Sequence, residues 1–404
     1  MSIFPPINEQ MDFIRRGVEE IISEDELVKK FETAEKTGDP LVIKLGCDPS
    51  RPDLHIGHAV VLRKLRHFQD IGHQSVLVIG DFTALIGDPS GRNKTRPQLT
   101  PKQVVEFSET YVQQAEHILD LKTLKIVRNG DWLGAMNFHD VIKLASHYTV
   151  ARMLERDDFE KRYKSETPIS IHEFLYPLAQ AMDSVELNAD VELGGTDQKF
   201  NLLVGRDLQK DHGQGPQVVI TTPLLEGTDG IQKMSKSYDN YIGITDPPSE
   251  IYGRTMSIPD DLIIRYFEFA TDVDSTVLKD VQTKLSDGKT NPRDLKRQLS
   301  REIVSLYHSD ELALEAEAEF DRIFIESDVP DKMEEWSTGA AEVTILSIMC
   351  DSGLVPSKRE ARRLIDQGAV TVDGEKVSDI TENVIVSSPV VLKVGKRRFL
   401  RVSA

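Results

Sequence analysis

Three patterns predict an α/β chain built in successive parts. Apolar strands near residues 41–46, 75–80, 124–128, 189–193 and 218–222 alternate with amphipathic helices, which indicates a parallel sheet. From about Pro247 the pattern turns helical, over 260–270, 275–285, 292–307 and 311–325, with no strand between. Beyond residue 340, short helices give way to a strand and a hairpin turn. The expected division is a parallel-sheet domain over 1–245, a helical domain over 246–330, a linker over 331–340 and a small α+β domain over 341–404.

The first strand runs into Gly46-Cys47-Asp48-Pro49 and then into a helix that opens at His55-Ile56-Gly57-His58. Asp53 is placed to cap this helix, and Gly57 removes a side chain that would block a flat ligand. The two histidines lie three apart near a helix start, whose free N–H groups attract phosphate. Taken alone, they would also suit a surface helix. Further on, Thr100-Pro101 supplies a cap and a first-turn proline to the next helix.

In the helix expected over 170–187, Tyr176, Gln180 and Asp183 recur at intervals of four and three and share one face. Phe174, Leu175, Leu178, Ala179 and Met182 make the same helix largely apolar and therefore buried. Its polar groups need partners, and a ligand is one possibility; an ordinary polar face is the other. Gly194-Gly195 then ends a strand and permits close backbone approach, with Asp197 and Gln198 opening the following helix. Finally Gly227-Thr228-Asp229-Gly230 reads as a flexible turn ahead of Lys233-Met234-Ser235-Lys236-Ser237, a loop with two mobile point charges suited to phosphate.

The histidine and lysine motifs together, in this order, resemble the two signatures of class I aminoacyl-tRNA synthetases, and the match to both is complete. Tyr176-x-x-x-Gln180-x-x-Asp183 and Gly194-Gly195-Thr196-Asp197-Gln198 are similar to the tyrosyl-tRNA synthetases, as is Leu85-Ile86-Gly87-Asp88-Pro89-Ser90-Gly91. The resemblance implies a Rossmann-type catalytic domain in which Asp183 accepts a hydrogen bond from the phenol of tyrosine, while Tyr176, Gln180 and Asp88 hold its ammonium. It places Gly46, Asp48, Gly57, Asp197 and Gln198 on the ATP and adenylate side, with Asp197 reaching the ribose. His55, His58, Lys233 and Lys236 become the catalytic groups around the phosphates, joined by Ser235. Arg92 and Arg96 stand where the family places mobile cations for pyrophosphate. One position departs: many members carry a tyrosine where this chain has Lys44, and lysine cannot accept a hydrogen bond. It can point away or pair with a carboxylate.

The implied reaction needs no nucleophilic side chain and no structural metal. The tyrosine carboxylate attacks the α-phosphate of ATP, pyrophosphate leaves, and the terminal ribose hydroxyl of tRNA(Tyr) then displaces AMP. Magnesium travels with the ATP, and no tightly bound cofactor is expected. Positioning and preorganised positive charge lower such a barrier. A separate editing domain is unnecessary, because a site that hydrogen-bonds the phenol leaves a buried group unpaired when phenylalanine enters; these synthetases are the standard instance of that rule.

Composition is that of a large globular enzyme. With 404 residues, 39% of them hydrophobic, two or three cored domains are expected. No signal-peptide core and no run of membrane-spanning length stands in the sequence, so a cytoplasmic setting without membrane or DNA partners is expected. Cys47 and Cys350 lack the spacing of a zinc site or a disulfide framework, and Cys47 is read as packing beside the turn. A net charge of −18 suits tRNA poorly. Residues 341–404 nevertheless hold ten lysines and arginines against eight acids, so the chain end is its basic part. There Lys358, Arg359, Arg362 and Arg363 fall on one side of a helix and Leu364 and Ile365 on another. This stretch resembles the alpha-L RNA-binding module, which implies RNA contact by those four cations, with Lys396, Arg397 and Arg398 as additions. The family also implies a homodimer, for which 141–145 with Tyr148 and Met153 is a candidate interface; a core helix would read the same way. Two rivals share parts of this pattern: a tryptophanyl-tRNA synthetase, and a synthetase-derived RNA-binding protein that has lost activity.

Overall fold

The computed structural model describes residues 4–49, 54–89, 100–324, 333–340, 342–386, 389–395 and 398–404. Asp53, Arg92, Arg96, Lys396 and Arg397 lie outside these residues, so their expected roles have no structural counterpart here. The chain forms two compact units, Met1–Ala313 and Leu314–Ala404.

The first unit is organised by a six-stranded sheet. Its strands are β1 Glu20–Ile22, β2 Val42–Cys47, β3 Gln74–Ile79, β4 Lys125–Arg128, β5 Val191–Gly195 and β6 Val218–Thr222, in the order β1-β6-β5-β2-β3-β4. Five are parallel, and β1 pairs antiparallel with β6 at the edge. Three residues of Glu-Ile-Ile give no periodicity to read, which is why β1 was not expected. From β2 the chain winds outward through β3 and β4, then returns to lay β5 on the other side of β2. That reversal opens a crevice beyond the carboxyl ends of β2 and β5, the position where doubly wound sheets bind ligands. Ile43 and Leu45 of β2, and Val191 and Leu193 of β5, are buried, as strands covered on both faces require.

The helices start where local chemistry dictates. Thr100 Oγ1 accepts from the Gln103 amide at 3.4 Å while Gln103 Oε1 accepts from the Thr100 amide at 3.0 Å, and Pro101 follows as first helical residue. The histidine-motif helix runs Ile56–Asp70 with His55 itself at the N-cap, two residues later than the cap expected at Asp53. It buries Ala59, Leu62, Leu65 and Phe68 against the sheet side of the molecule. The expected 170–187 helix divides into a 3-10 turn, Ile171–Phe174, and an α-helix, Leu175–Leu187, that ends at Asn188 in the left-handed region. After the sheet come Pro248–Met256, Ile263–Ala270, Ser275–Ser286, Pro292–Tyr307 and Asp310–Phe324. Among the described residues no helix is long and apolar enough to cross a membrane.

The second unit packs helices Ile345–Asp351 and Lys358–Asp366 on a five-stranded sheet. That sheet comprises β7 Glu334–Ser337, β9 Val370–Val372, β10 Glu375–Lys376, β12 Val390–Val394 and β13 Arg398–Ser403, in the order β10-β9-β12-β13-β7. A two-stranded ribbon of β8 Glu342–Thr344 and β11 Asn383–Ile385 completes it. Glu334–Ser337 falls inside the stretch expected to be linker, yet it pairs in parallel with β13 and half-buries Trp336. The core joins Ile345, Ile348 and Met349 to Ala361, Leu364 and Ile365 and to Val370, Leu392 and Leu400.

Candidate active site

The histidine motif is held by its neighbours rather than by its own helix alone. Ile56 donates its amide to the Ile242 carbonyl at 3.0 Å, and the rings of His55 and His58 stack with centroids 3.7 Å apart. Burial pushes the His58 imidazole down to about 4, helped by the charges of Lys233 and Lys236. Burial likewise lowers His55 well below the ordinary range, with His58 and the same lysines adding to it. Both rings are therefore neutral at neutral pH and offer polarised N–H groups rather than cations. A Cβ on Gly57 would stand 3.0 Å from His55 Nδ1 and 3.4 Å from Met234 Cβ, so glycine lets the lysine loop pack against this turn.

That loop is more defined than a flexible turn. Asp229 Oδ1 accepts from the Ile231 and Gln232 amides at 3.1 and 3.3 Å. Asn240, which sequence reasoning passed over, is buried and accepts the Ser235 amide at 2.8 Å while donating to Asp229 Oδ2 at 3.1 Å. Gly227 is glycine because a Cβ there would lie 2.2 Å from the Asn240 side chain. Lys233 Nζ reaches Asp197 Oδ2 at 3.3 Å, tying the loop to the turn after β5, and Lys236 Nζ sits 5.0 Å over the Tyr241 ring.

At the other end of the crevice stands Asp183, 2% exposed. Trp132 Nε1 donates to its Oδ1 at 2.9 Å and Asn129 Nδ2 to its Oδ2 at 3.3 Å. Burial pushes its carboxyl up to about 7, against the nearby Lys44 charge and the two donors. An ionised carboxylate has about four lone-pair sites, so it retains accepting capacity with both donors in place. Tyr176 Oη donates to Asp48 Oδ2 at 2.9 Å, and Thr83 Oγ1 donates to Asp48 Oδ1 at 2.6 Å. Asp88 accepts Gln198 Nε2 at 2.9 Å and lies 3.5 Å from Arg156 Nη2. Asn201 donates to both Gln180 and Gln198, each at 3.1 Å.

Lys44 turns inward and is paired: its Nζ lies 2.9 Å from Glu192 Oε1, both side chains being buried. Cys47 Sγ accepts from Tyr111 Oη at 3.2 Å, and burial pushes the thiol up to about 12, so it packs rather than attacks.

Every described residue expected in the ATP and tyrosine sites lines one cleft of about 330 Å³: Gly46, Asp48, His55, Gly57, His58, Asp88, Tyr176, Gln180, Asp183, Asp197, Gln198, Lys233, Ser235 and Lys236. Sequence reasoning missed Asn129, Trp132, Thr83 and Asn240. The first two follow β4 in Arg128-Asn129-Gly130-Asp131-Trp132, where a strand exit rich in polar groups is the one available signal.

In the second unit, Ser357 caps the Lys358–Asp366 helix through the Glu360 amide at 3.3 Å. Lys358, Arg359, Arg362 and Arg363 are all exposed, opposite the buried Ala361, Leu364 and Ile365. Arg363 bonds Glu360 at 2.6 Å, so part of its charge is already compensated. Arg398 donates to the Leu354 carbonyl at 2.9 Å.

Comparison with known proteins bears on all of this. The model of class I tRNA synthetases (W and Y) matches residues 36–325, and that of the tyrosine–tRNA ligase SYY-like C-terminal domain matches 324–402. A tyrosine–tRNA ligase of Salinibacter ruber is 54% identical over 99% of this chain and 97% of its own length. One from Thermotoga maritima is 53% identical over 98% and 97%. Among solved structures, the tyrosyl-tRNA synthetase of Archaeoglobus fulgidus, complexed with L-tyrosine, superposes with a TM-score of 0.64 at 25% identity, covering 77% of this chain and 99% of that one. With both signature motifs in one cleft and full-length relatives at this identity, the chain belongs to the tyrosine–tRNA ligase family of class I aminoacyl-tRNA synthetases.

Proposed function

We propose that this cleft activates L-tyrosine with ATP, giving tyrosyl-adenylate and pyrophosphate, and then transfers tyrosine to the 3′-terminal ribose of tRNA(Tyr) with release of AMP. The observation that carries the reading is one crevice with phosphate-directed groups at one end and a buried acceptor, Asp183, at the other. The tyrosine carboxylate forms the new bond to the α-phosphorus as the bond to pyrophosphate breaks. His55 and His58 donate N–H bonds as neutral rings, and Lys233 and Lys236 supply the positive charge for the departing phosphates. Asp197 and Gln198 face the ribose side. Tyr176, Gln180 and Asp88 surround the ammonium, and magnesium enters as part of the ATP substrate.

Amino-acid-dependent exchange of pyrophosphate into ATP, run with tyrosine, tryptophan and phenylalanine, tests this directly. Exchange with tyrosine is expected; exchange with tryptophan alone would overturn the reading. Binding of tRNA without exchange by any amino acid would instead identify an inactive RNA-binding relative.

The exposed cations of the Lys358–Asp366 helix support tRNA binding by the second unit. Removing residues after about 340 is expected to spare adenylate formation and to reduce tRNA charging, more so as salt rises, since phosphate contacts weaken with ionic strength. Equal charging by the truncated chain across a salt series would remove this role. For the homodimer, the candidate stretch divides: Leu144 and Met153 are buried in the core, whereas Ile142 is 54% exposed, and Phe138, outside that stretch at the start of the Phe138–Ala145 helix, is 79% exposed. Those two exposed apolar side chains support association of two cytoplasmic copies through this face.

A further inference from the structure

Lys44 is a charge in the middle of a parallel strand, 0% exposed between Ile43 and Leu45. Its partner is directly across the sheet, because Lys44 and Glu192 are register partners of β2 and β5. These are the two neighbouring strands beyond whose carboxyl ends the crevice opens. The remaining bonds of the pair go mainly to the Leu175–Leu187 helix. Lys44 Nζ donates to the Gln180 carbonyl at 3.0 Å and to Ser184 Oγ at 2.6 Å. Glu192 accepts from Gln180 Nε2 at 3.2 Å and Ser184 Oγ at 3.1 Å, and from Gln217 Nε2. Gln180, so held, turns its amide oxygen to Asn201, which leads through Gln198 to Asp88.

A buried ion pair is a poor device for stability alone, since apolar residues of similar volume usually serve as well or better. Here most of the pair's hydrogen bonds go to one side of one helix, the side that presents Gln180 and Asp183. We propose that the Lys44–Glu192 pair is a positioning element of the amino-acid pocket: it locks Gln180 and Ser184 on the helix face that also presents Asp183. This rests on the reading of the cleft as a tyrosine site.

The electrostatics agree with the geometry. Burial drives the Asp183 carboxyl upward, Lys44 is the largest opposing influence, and Glu192 acts in the same direction as burial but less strongly. The other ionisable groups lining the cleft around Asp183 are Asp48, Asp88, Cys47, Tyr111 and Tyr176, with His55, His58, Asp197, Lys233 and Lys236 on the phosphate side. Burial holds Cys47 and Tyr111 protonated and the two imidazoles neutral. The pair therefore supplies opposite influences on one carboxylate. Without Lys44, Asp183 takes up a proton at higher pH, and the phenol loses its anionic acceptor earlier as pH falls. Without the Glu192 charge, the shift reverses.

The experiment uses the full-length chain and measures kcat/KM for tyrosine in pyrophosphate exchange from about pH 6 to 9, since this quantity reports groups of the free enzyme. Lys44→Met is expected to move the acid limb up by about one pH unit, a tenfold loss at a fixed pH on that limb. Glu192→Gln is expected to move it down, and the KM for ATP stays unchanged in both. Profiles superimposed on wild type, or displaced in the same direction by both variants, would overturn the proposal; the second result would mean simple loosening of the helix. Should Lys44→Met fail to fold, the near-isosteric Glu192→Gln decides, because an unmoved or raised limb contradicts it. Wild type inactive with tyrosine would refute the functional reading instead.

Discussion

Lys236→Ala is expected to lower the rate of adenylate formation by about 10²- to 10³-fold, the usual consequence of deleting one preorganised group aimed at transition-state charge. The dissociation constant for tyrosine should stay within about twofold, because a group that meets only the reacting phosphates does not contribute to ground-state amino-acid binding. The structure separates the two ends. Lys236 stands over Tyr241, beside the histidine motif, and its charge is felt by His55 and His58. Asp183, by contrast, answers to Lys44, Trp132, Asn129 and Glu192. With both imidazoles neutral, the rings do not make up for the charge lost when a loop lysine is truncated. Single-turnover formation of adenylate, with tyrosine binding followed separately by equilibrium titration, checks this. A matching loss in both quantities would assign Lys236 to substrate binding and remove it from the transition state.

The sheet and the two phosphate motifs were legible because each rests on local pattern. Strand β6 matches its expected bounds, and β2, β3 and β4 deviate by a residue or so. The helix face of Tyr176, Gln180 and Asp183 was legible for the same reason, since spacing alone sets it. What escaped depends on register across the sheet. Nothing near Lys44 in sequence announces Glu192; only the return of the chain from β4 to β5 places them opposite each other. Trp132 and Asn129 likewise reach Asp183 only because β4 ends beside the crevice. Strand β7 was hidden for another reason: Glu334-Glu335-Trp336-Ser337 has one apolar side chain and reads as linker until β13 supplies the backbone partner. The turn before the lysine loop is tighter than its glycines suggest, because glycine signals both freedom and close approach. Asn240 against Gly227 shows that close approach applies.

Asp183→Ala should cost the enzyme its choice between tyrosine and phenylalanine. In the wild type a bound phenylalanine would leave a buried carboxylate, already holding Trp132 and Asn129, without the phenol that completes its bonding. A hydrogen bond to a charged group contributes about 1.5–3 kcal/mol, so the ratio of kcat/KM for the two amino acids should fall by about 10- to 150-fold. The alanine variant also orphans the Trp132 and Asn129 donors, which lowers stability; Asp183→Asn keeps an oxygen acceptor and the shape while removing the charge. If charge is what reads the phenol, Asn should lose most of the discrimination that Ala loses. The wild type carries an internal version of this test. Burial holds the Asp183 carboxyl up to about 7, so acid protonates it within an accessible range. Its preference for tyrosine should therefore narrow as pH falls below that value and recover above it, whereas the Asn variant should show a flat ratio across the same range. Undiminished selectivity in both variants would mean that a different group in the cleft reads the hydroxyl.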